Sequence, residues 1–466
     1  MTPSGNRHLP HATTGPQGPV LFFIACFMLA FAPLIRGGNR PMPLMVLEAA
    51  ALLMLAALAW SQGLGEVRRR LPSPLLWGIG ILVIAPLAQL LPLPMSWWSM
   101  LPGHEPYARA LELAGTPSSG MRPITLHAGA TEYAWLVLLP CVAIFLAVQT
   151  LDRAQIRRLI AIFLAVAVCE ALLGIVQAGA KTESIVHLGN PYGVGAATGT
   201  YVNKNHFAAL MAMALPMLLA RWALEVLPVI RRGEKLREHP RNADLRLAVR
   251  ILFSILLVFL VLALLLTRSR AGIACGLIAL ALASTALVWN AGSTQAKALL
   301  VVVAASALLL GSYVGLSSVI ERFGPDEISL GYAGRVQLGQ ATLRAALDFL
   351  PFGSGLGTFA DVFRRYQSDR LTGFVDHAHN DYAEAFLELG VAGVAAILLL
   401  ALAYMARWRE LARSRRSRSL GFLQISAGLG MLAVMLHGVF DFNFHIPANA
   451  IYFAFLAGIF FYDPPA

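Results

Sequence analysis

Long apolar runs separated by short polar stretches make up most of this chain. Most runs are about 20 residues long, which is the length that a helix needs to cross the hydrocarbon core of a bilayer. The strands of a membrane β-barrel would instead alternate apolar and polar residues in shorter segments. The pattern therefore predicts an all-α polytopic membrane protein with about 12 transmembrane helices, near residues 19–34, 43–62, 75–94, 131–149, 157–178, 206–228, 248–267, 271–290, 297–316, 383–405, 420–440 and 447–462.

The composition agrees with this prediction. Of the 466 residues, 58% are hydrophobic and only 13% are charged, whereas a soluble chain carries about 25% charged residues. The net charge of +11 lies mainly in short loops between apolar runs, where membrane orientation accounts for it, so we expect no nucleic acid as a partner. The four cysteines lie within apolar runs and show no disulfide or metal spacing: Cys26, Cys141, Cys169 and Cys275.

The loop charges predict how the helices are oriented. Every strong cluster of lysine and arginine falls in an even-numbered loop, at 68–70, 153–158, 231–246 and 407–418. Since positive loops remain cytoplasmic, we expect both termini there, with residues 1–18 as a disordered tail and residues 19–466 as a single transmembrane domain. The odd-numbered loops then face outward, including a large loop at 317–382 that is too long for a simple connector and has a helical pattern near 335–348.

Four of the outward stretches carry unusual polar chemistry, at 199–207, 267–272, 376–393 and 437–449. Ionisable groups beside a membrane segment are costly and usually functional. The orientation follows from the lysine and arginine clusters of the even-numbered loops alone. The outward placement of all four polar stretches is therefore an independent observation, and it indicates a site on that face.

The stretch 376–393 reads DHAHNDYAEAFLELGVAG and joins the long loop to an apolar helix. Asp381 and Glu384 have the spacing of a capping box, which predicts a helix that begins just after Asp381. His379 then lies immediately ahead of the helix, where a neutral imidazole can accept a proton from a sugar hydroxyl. Glu384 and Glu388 share a helix face and would bind an acceptor sugar or pair with arginines.

His377 and His379 also have the spacing of two metal ligands. No carboxylate or cysteine at a known ligand spacing accompanies them, so we expect no metal. A structural histidine pair at the membrane interface is the alternative interpretation. If the stretch is part of an active site, His377 and Asn380 would contact the acceptor or orient the candidate base His379.

Arginines near the same face suit a phosphate ligand. Arg268 and Arg270 occupy a tight outer turn, against the positive-inside bias, and a guanidinium matches phosphate geometry well. The alternative is that they reach lipid phosphates. Arg335 opens the helical part of the long loop, where a surface salt bridge is the alternative. The glycine run 351–359 predicts a flexible turn or an anion nest, and it is not a Walker loop because no Gly-Lys-Ser/Thr follows.

The other two stretches supply further polar groups. Lys204 and His206 add positive charge and hydrogen-bonding capacity that suit an anionic ligand or a sugar, whereas Asn203 fits a helix cap equally well. Asp441 and His445 are candidate supporting residues for the site. The aromatic residues around them fit an interfacial belt.

Together these stretches resemble the O-antigen ligase/polymerase superfamily of bacterial membrane glycosyltransferases, over residues 199–450. The most specific element is His379-Asn380, then nine residues, then Gly390-Val-Ala-Gly393, which is similar to the family's H-[N/S/Q]-x9-G-x-x-G signature. Supporting elements are the stretches 199–207, 269–272, 334–335 and 441–450.

The resemblance implies a GT-C-like fold in the bacterial inner membrane, with a periplasmic active site and no cofactor. The donor would be a glycan on polyprenyl (undecaprenyl) diphosphate, and the acceptor a lipid A core sugar or another glycan. His379 would correspond to the catalytic histidine. Arg335 and one of Arg268 and Arg270 would bind the diphosphate.

Three alternatives stay open at this point. Within the superfamily, the chain could be a polysaccharide polymerase or a protein O-oligosaccharyltransferase. A lipid or ion transporter is the alternative of another class. A transporter would be expected to place its ionisable groups near the middle of the membrane, often with inverted repeats. Neither feature is visible in the sequence.

Overall fold

The computed structural model describes residues 18–60, 63–115, 120–181, 183–226, 240–291, 325–368, 373–413 and 418–463. Its described part is built almost entirely from helices, and its only strands are the three-residue pair β1 (Pro92–Pro94) and β2 (Met121–Pro123), which run antiparallel. The predicted tail up to residue 17, the predicted run 297–316 and the first part of the long loop lie outside the described residues.

The all-α polytopic fold class is confirmed. Within the described ranges, eight helices have the length and hydropathy to cross a membrane, and three shorter helices are equally apolar. Each corresponds to one of the predicted runs. They are α1 (Gly18–Phe31), α2 (Pro41–Trp60), α4 (Ser73–Gln89), α7 (Ala128–Thr150), α8 (Arg153–Gly179), α9 (Lys204–Val226), α10 (Pro240–Leu266), α11 (Arg270–Ala291), α14 (Asp381–Arg413), α15 (Arg418–His437) and α16 (Pro447–Phe460).

Helix α9 is the centre of the bundle. Of its membrane-length window, 89% is buried inside the protein, against 28% for the neighbouring α10. It packs against α8, α10, α11, α15 and α16. A helix that is apolar around its whole circumference is buried on all sides, so the start of α9, which carries the stretch 199–207, is held at the middle of one end of the bundle.

Five further helices lie outside the bundle: α3 (Gly63–Arg70), α5 (Met95–Trp98), α6 (Glu105–Leu113), α12 (Pro325–Asp348) and α13 (Phe359–Phe363). Helix α12 contains the helical segment predicted near 335–348 and begins ten residues earlier. Phe349, Phe359 and Phe363 form a second, smaller core with Leu387 of α14. This core holds the end of the long loop against the first turns of α14.

Helix α14 is broken at Gly390, whose φ of 57° and ψ of −136° are open essentially to glycine alone. The turn 351–355 fills the break: Pro351 O accepts from Val391 N (3.0 Å), and Gly355 N donates to Glu388 O (3.0 Å). These groups satisfy the carbonyls and the amide that the broken helix leaves without helical partners. The other end of the glycine run binds a carboxylate of the chain itself, since the Phe359 amide donates to Glu388 at 3.0 Å. Binding of a ligand anion by this run stays a prediction.

Candidate active site at one end of the bundle

The four polar stretches lie together at one end of the bundle, as the order of the loops predicted. Helices α9, α11, α14 and α16 begin there, and α10 and α15 end there. Two hydrogen bonds join stretches directly: Asp381 N to Gly438 O (2.8 Å) and Asn449 Nδ2 to His206 O (3.0 Å). A third, Ala197 N to Leu266 O (2.9 Å), joins the residues just before 199–207 and 267–272. The end of the bundle is thus one connected polar layer.

His379 occupies a left-handed backbone position, with φ at 49°, directly before α14. The helix cap is Asn380, whose side-chain oxygen accepts from the amides two and three positions on, each at 3.0 Å. The predicted capping box of Asp381 and Glu384 is therefore wrong, because both carboxylates turn to other partners. Asn and Asp cap helices about equally well, and tertiary contacts decide between these two neighbours.

Asp441 is the buried carboxylate that faces His379. Its Oδ1 lies 3.3 Å from His379 Nδ1, and its side chain is 1% exposed while that of His379 is 32% exposed. Asn205 donates a hydrogen bond to Oδ2. Burial raises the pKa of Asp441, but the side chains of His206 and His379 outweigh it and hold that pKa well below its usual range. Asp441 is therefore an anion that can hold an imidazole in one orientation.

Glu384 is the second buried carboxylate of the layer. It accepts from the Ala378 amide (2.7 Å) and lies 2.7 Å from His377 Nδ1 and 3.3 Å from His445 Nε2. The expectation that Glu384 binds an acceptor sugar or an arginine is wrong, since its side chain is 1% exposed and its partners are two histidines and an amide. Its hydrogen bond to Nδ1 holds the His377 ring in one orientation.

His445 lies between Glu384 and Asp381, 3.1 Å from the Asp381 carboxylate. Burial lowers the pKa of His445, but these two carboxylates outweigh it and raise the pKa to about 10. His445 is then an imidazolium at neutral pH, a fixed positive charge beside the histidine pair. Asp381 also accepts from the amides of Asn443 (3.0 Å) and Phe444 (3.3 Å), which ties the turn before α16 to the start of α14.

Phe442 contacts three of the histidines, a role that the sequence analysis did not predict. Its ring stacks on His377 at 4.2 Å between centroids and meets the edges of His206 (4.7 Å) and His379 (4.9 Å). The expectation that the aromatics of this stretch form an interfacial belt is wrong for Phe442, which is buried. The only sequence signal is its position next to Asp441.

Glu388 lies deeper and does not belong to the open site. Its side chain is 1% exposed and accepts from the Phe359 amide at 3.0 Å. The expectation that Glu388 contacts an acceptor or an arginine is therefore wrong. It anchors the start of α13 to α14.

The three arginines lie around the same end of the bundle. Arg268 has a left-handed backbone, with φ at 54°, and its side chain and that of Arg270 are half-buried. The first turn of α11 packs against His437. A Cβ on Gly272 would lie 3.3 Å from the His437 ring. Arg335 is exposed on α12 and lies near His437.

The start of α9 is mainly structural. The side-chain oxygen of Asn203 accepts from the Asn205 amide at 2.9 Å. This bond agrees with the interpretation of Asn203 as a helix cap. Lys204 is the first residue of the helix, and His206 points to Asp441 with its Nε2 at 3.7 Å from Oδ1. Of this stretch, His206 and Asn205 reach the candidate site.

His377, Glu384 and His445 also meet the geometric requirement for a metal site, since their ligand atoms lie within 4.8 Å of one another. The 2.7 Å between His377 and Glu384 is a hydrogen bond. Two ligands around one zinc ion would be roughly 3.3 Å apart, from bond lengths of about 2 Å. The arrangement in the described residues is that of a hydrogen-bonded ionic cluster.

Residues 255–398 match the family model described as O-antigen ligase. That segment includes Arg268, Arg270, Arg335 and His379, whereas Asp441 lies beyond it. No curated protein matches the chain.

Proposed function

We propose that this member of the O-antigen ligase/polymerase superfamily is a glycosyltransferase of the bacterial inner membrane. It would move a glycan from a polyprenyl (undecaprenyl) diphosphate to an acceptor sugar hydroxyl at the periplasmic face, in cell-surface polysaccharide or lipopolysaccharide biosynthesis. The observation that carries the proposal is the partly exposed His379 whose Nδ1 faces the buried Asp441 at 3.3 Å. In the described part of the chain, Nε2 of His379 has no hydrogen bond and is the nitrogen that can meet an acceptor.

His379 would act as the general base. Its Nε2 takes the proton of the acceptor hydroxyl, and the hydroxyl oxygen forms a bond to the anomeric carbon of the donor. The bond from that carbon to the diphosphate oxygen breaks on the opposite side, so the configuration inverts and the diphosphate leaves with the electron pair. Asp441 keeps the imidazole oriented and stabilises the imidazolium that forms.

Arg335, Arg268 and Arg270 would bind the diphosphate. Negative charge grows on the leaving group in the transition state. Preorganised cations therefore stabilise the transition state more than the bound ground state, which lowers the barrier. His445 adds a fixed positive charge to the same layer. Because the leaving group is already acidic, the reaction needs no general acid. We expect it to use neither a metal ion nor a nucleotide sugar.

The placement of the charges favours this proposal over a transporter. Asp441, His379, His377 and His445 lie at one end of the bundle, beyond the ends of α15 and before the starts of α14 and α16, whereas a transporter holds its substrate near the midplane. Ligase and polymerase would use the same base and arginines and differ only in the acceptor.

Transfer by the purified protein tests the proposal. The protein in lipid nanodiscs is mixed with a polyprenyl-diphosphate glycan in EDTA, and with one of three acceptors: lipid A core, a second lipid-linked repeat unit, or a serine-containing peptide. We expect transfer to one acceptor class, with release of polyprenyl diphosphate. Release that depends strictly on added divalent metal, or absence of transfer to all three acceptors by a protein that binds the donor, would contradict it.

A further inference from the structure

Buried polar atoms without partners are concentrated around Asp441. Ten buried side-chain atoms in the described residues have no hydrogen bond, and six of them belong to His206, His437, Asn443 and Asn449. Leaving such atoms unsatisfied costs free energy. Four of these side chains surround the carboxylate that faces His379.

His206 is the member of this group that is aimed at the candidate base. It is 4% exposed, and its Nε2 lies 3.7 Å from Oδ1 of Asp441, the same oxygen that faces His379 at 3.3 Å. Its ring meets the edge of Phe442, and the amide of Asn449 binds its carbonyl. The backbone of His206 is therefore held in place, and its ring lies a few tenths of an ångström outside hydrogen-bond distance of Oδ1, so that a small shift of the ring would close the gap.

We propose that His206 is a positioning residue that acts on His379 through Asp441, by competing for the one oxygen that both imidazoles face. This inference rests on the proposed function, because it assumes that His379 is the base. When His206 donates to Oδ1, less of the carboxylate's charge acts on His379. When it does not, Asp441 holds the Nδ1 proton of His379 more tightly.

The other groups around Asp441 do not compete for this role. Asn205 donates to Oδ2, on the other side of the carboxylate. The Phe442 amide donates to Oδ1 at 3.0 Å but is fixed by the backbone. His437 of α15 lies near Asp441 and Arg335 of α12 lies near His437, but both ring nitrogens of His437 lack a hydrogen bond among the described residues. Among the described residues, His206 is the other side chain whose donor faces the oxygen that His379 uses.

The test is the pH dependence of kcat/KM for glycan transfer in a pair of variants. His206→Leu removes the donor while filling the space, and His206→Gln keeps an amide donor near the position of Nε2. We expect the acid limb of the profile to move up by about 1 pH unit in His206→Leu relative to the wild type. His206→Gln is expected to restore the wild-type limb.

A matched control is His187, which is also buried at this end of the bundle but bonds to Lys181 O. His187→Leu is expected to leave the acid limb where it is in the wild type. If His206→Leu does not fold, His206→Asn takes its place, since its shorter amide falls short of Asp441. A uniform loss at every pH in both His206→Leu and His206→Gln, or an unmoved limb in His206→Leu, would overturn the inference.

A parallel measurement on His379→Asn separates the two levels of the proposal. If that variant retains transfer, His379 is not the base, and the mechanism on which this inference rests fails. If it loses transfer and the limb of His206→Leu does not move, only the role of His206 fails.

Discussion

Oδ1 of Asp441 lies 3.3 Å from Nδ1 of His379, although 62 positions of sequence separate the two residues. One residue precedes α14 and the other follows α15, and the Asp381–Gly438 backbone hydrogen bond brings these helix ends together. The carboxylate is buried and the imidazole is partly open. The pair has the polarity that a general base and its orienting anion require.

Asp441→Asn is expected to lower kcat for transfer by about 10²-fold or more, with a smaller effect on the donor KM. The amide retains the shape of the carboxylate but neither fixes the imidazole tautomer nor stabilises the imidazolium. Steady-state kinetics on the purified variant measure both constants.

The control for this variant is Asp361→Asn. Asp361 also pairs with a histidine, His127, at 2.7 Å, but both side chains are more than half exposed. Exposed pairs contribute little, so this variant should keep kcat within about twofold. An equal loss in the two variants would show that the Asp441 effect is not specific to the site.

Arg268→Asn is expected to raise the donor KM at least tenfold without lowering thermal stability. Asn adopts the left-handed conformation more readily than arginine, and relief of this strain contributes up to about 1 kcal/mol. Donor titrations and thermal unfolding of the same sample give the two quantities.

Arg36 provides the matched variant. It has a similar left-handed φ, 57°, and its guanidinium donates to Leu188 O at the same end of the bundle. Arg36→Asn should change the donor KM by less than about twofold. The role of Arg268 would be rejected if Arg268→Asn left the donor KM unchanged.

Gly390→Ala is expected to destabilise the protein by about 3 kcal/mol or more. A Cβ at this position would lie 2.2 Å from Pro351 O, and the backbone conformation is itself closed to alanine. Fluorescence-detected size exclusion after heating measures the loss. Gly339→Ala on α12 meets no atom within 4 Å and should stabilise by up to about 1 kcal/mol. Similar melting curves for both variants would contradict this account of the helix break.

The stability contributed by His445 should decline at alkaline pH. Its folded pKa of about 10 exceeds the unfolded value of about 6.5, so its contribution is complete below about pH 6.5 and is lost as pH rises through about 10. His445→Gln should therefore have a lower Tm than wild type at pH 6, and the difference should shrink towards pH 10. The exposed His127→Gln should follow the wild-type curve. A constant Tm difference across this range would exclude a protonated His445.

The fold could be predicted from the sequence because each membrane helix is encoded locally. The length of an apolar run determines the helix, and the eleven described apolar helices follow from that rule alone. Loop order likewise brought His379, Asp441 and the arginines to one end. The break at Gly390 could not be predicted, since it depends on a turn near Pro351 that is remote in sequence.

The partners within the site were less predictable than its members. Asn380 rather than Asp381 caps α14, because Asp381 is drawn to the amides before α16 and to His445. Glu384 and Glu388 lie on the predicted helix face, yet packing of the long loop buries both of them. The role of Phe442 depends on contacts with three histidines from two distant segments, and the sequence around Phe442 does not encode those contacts.

The most direct test of the central claim is glycan transfer by His379→Asn in EDTA. Asn tolerates the left-handed backbone at this position, so the variant should fold and bind donor like the wild type. The account predicts that kcat falls by at least about 10²-fold while donor affinity stays within a few fold. Wild-type turnover by a folded His379→Asn protein would contradict the assignment of His379 as the base.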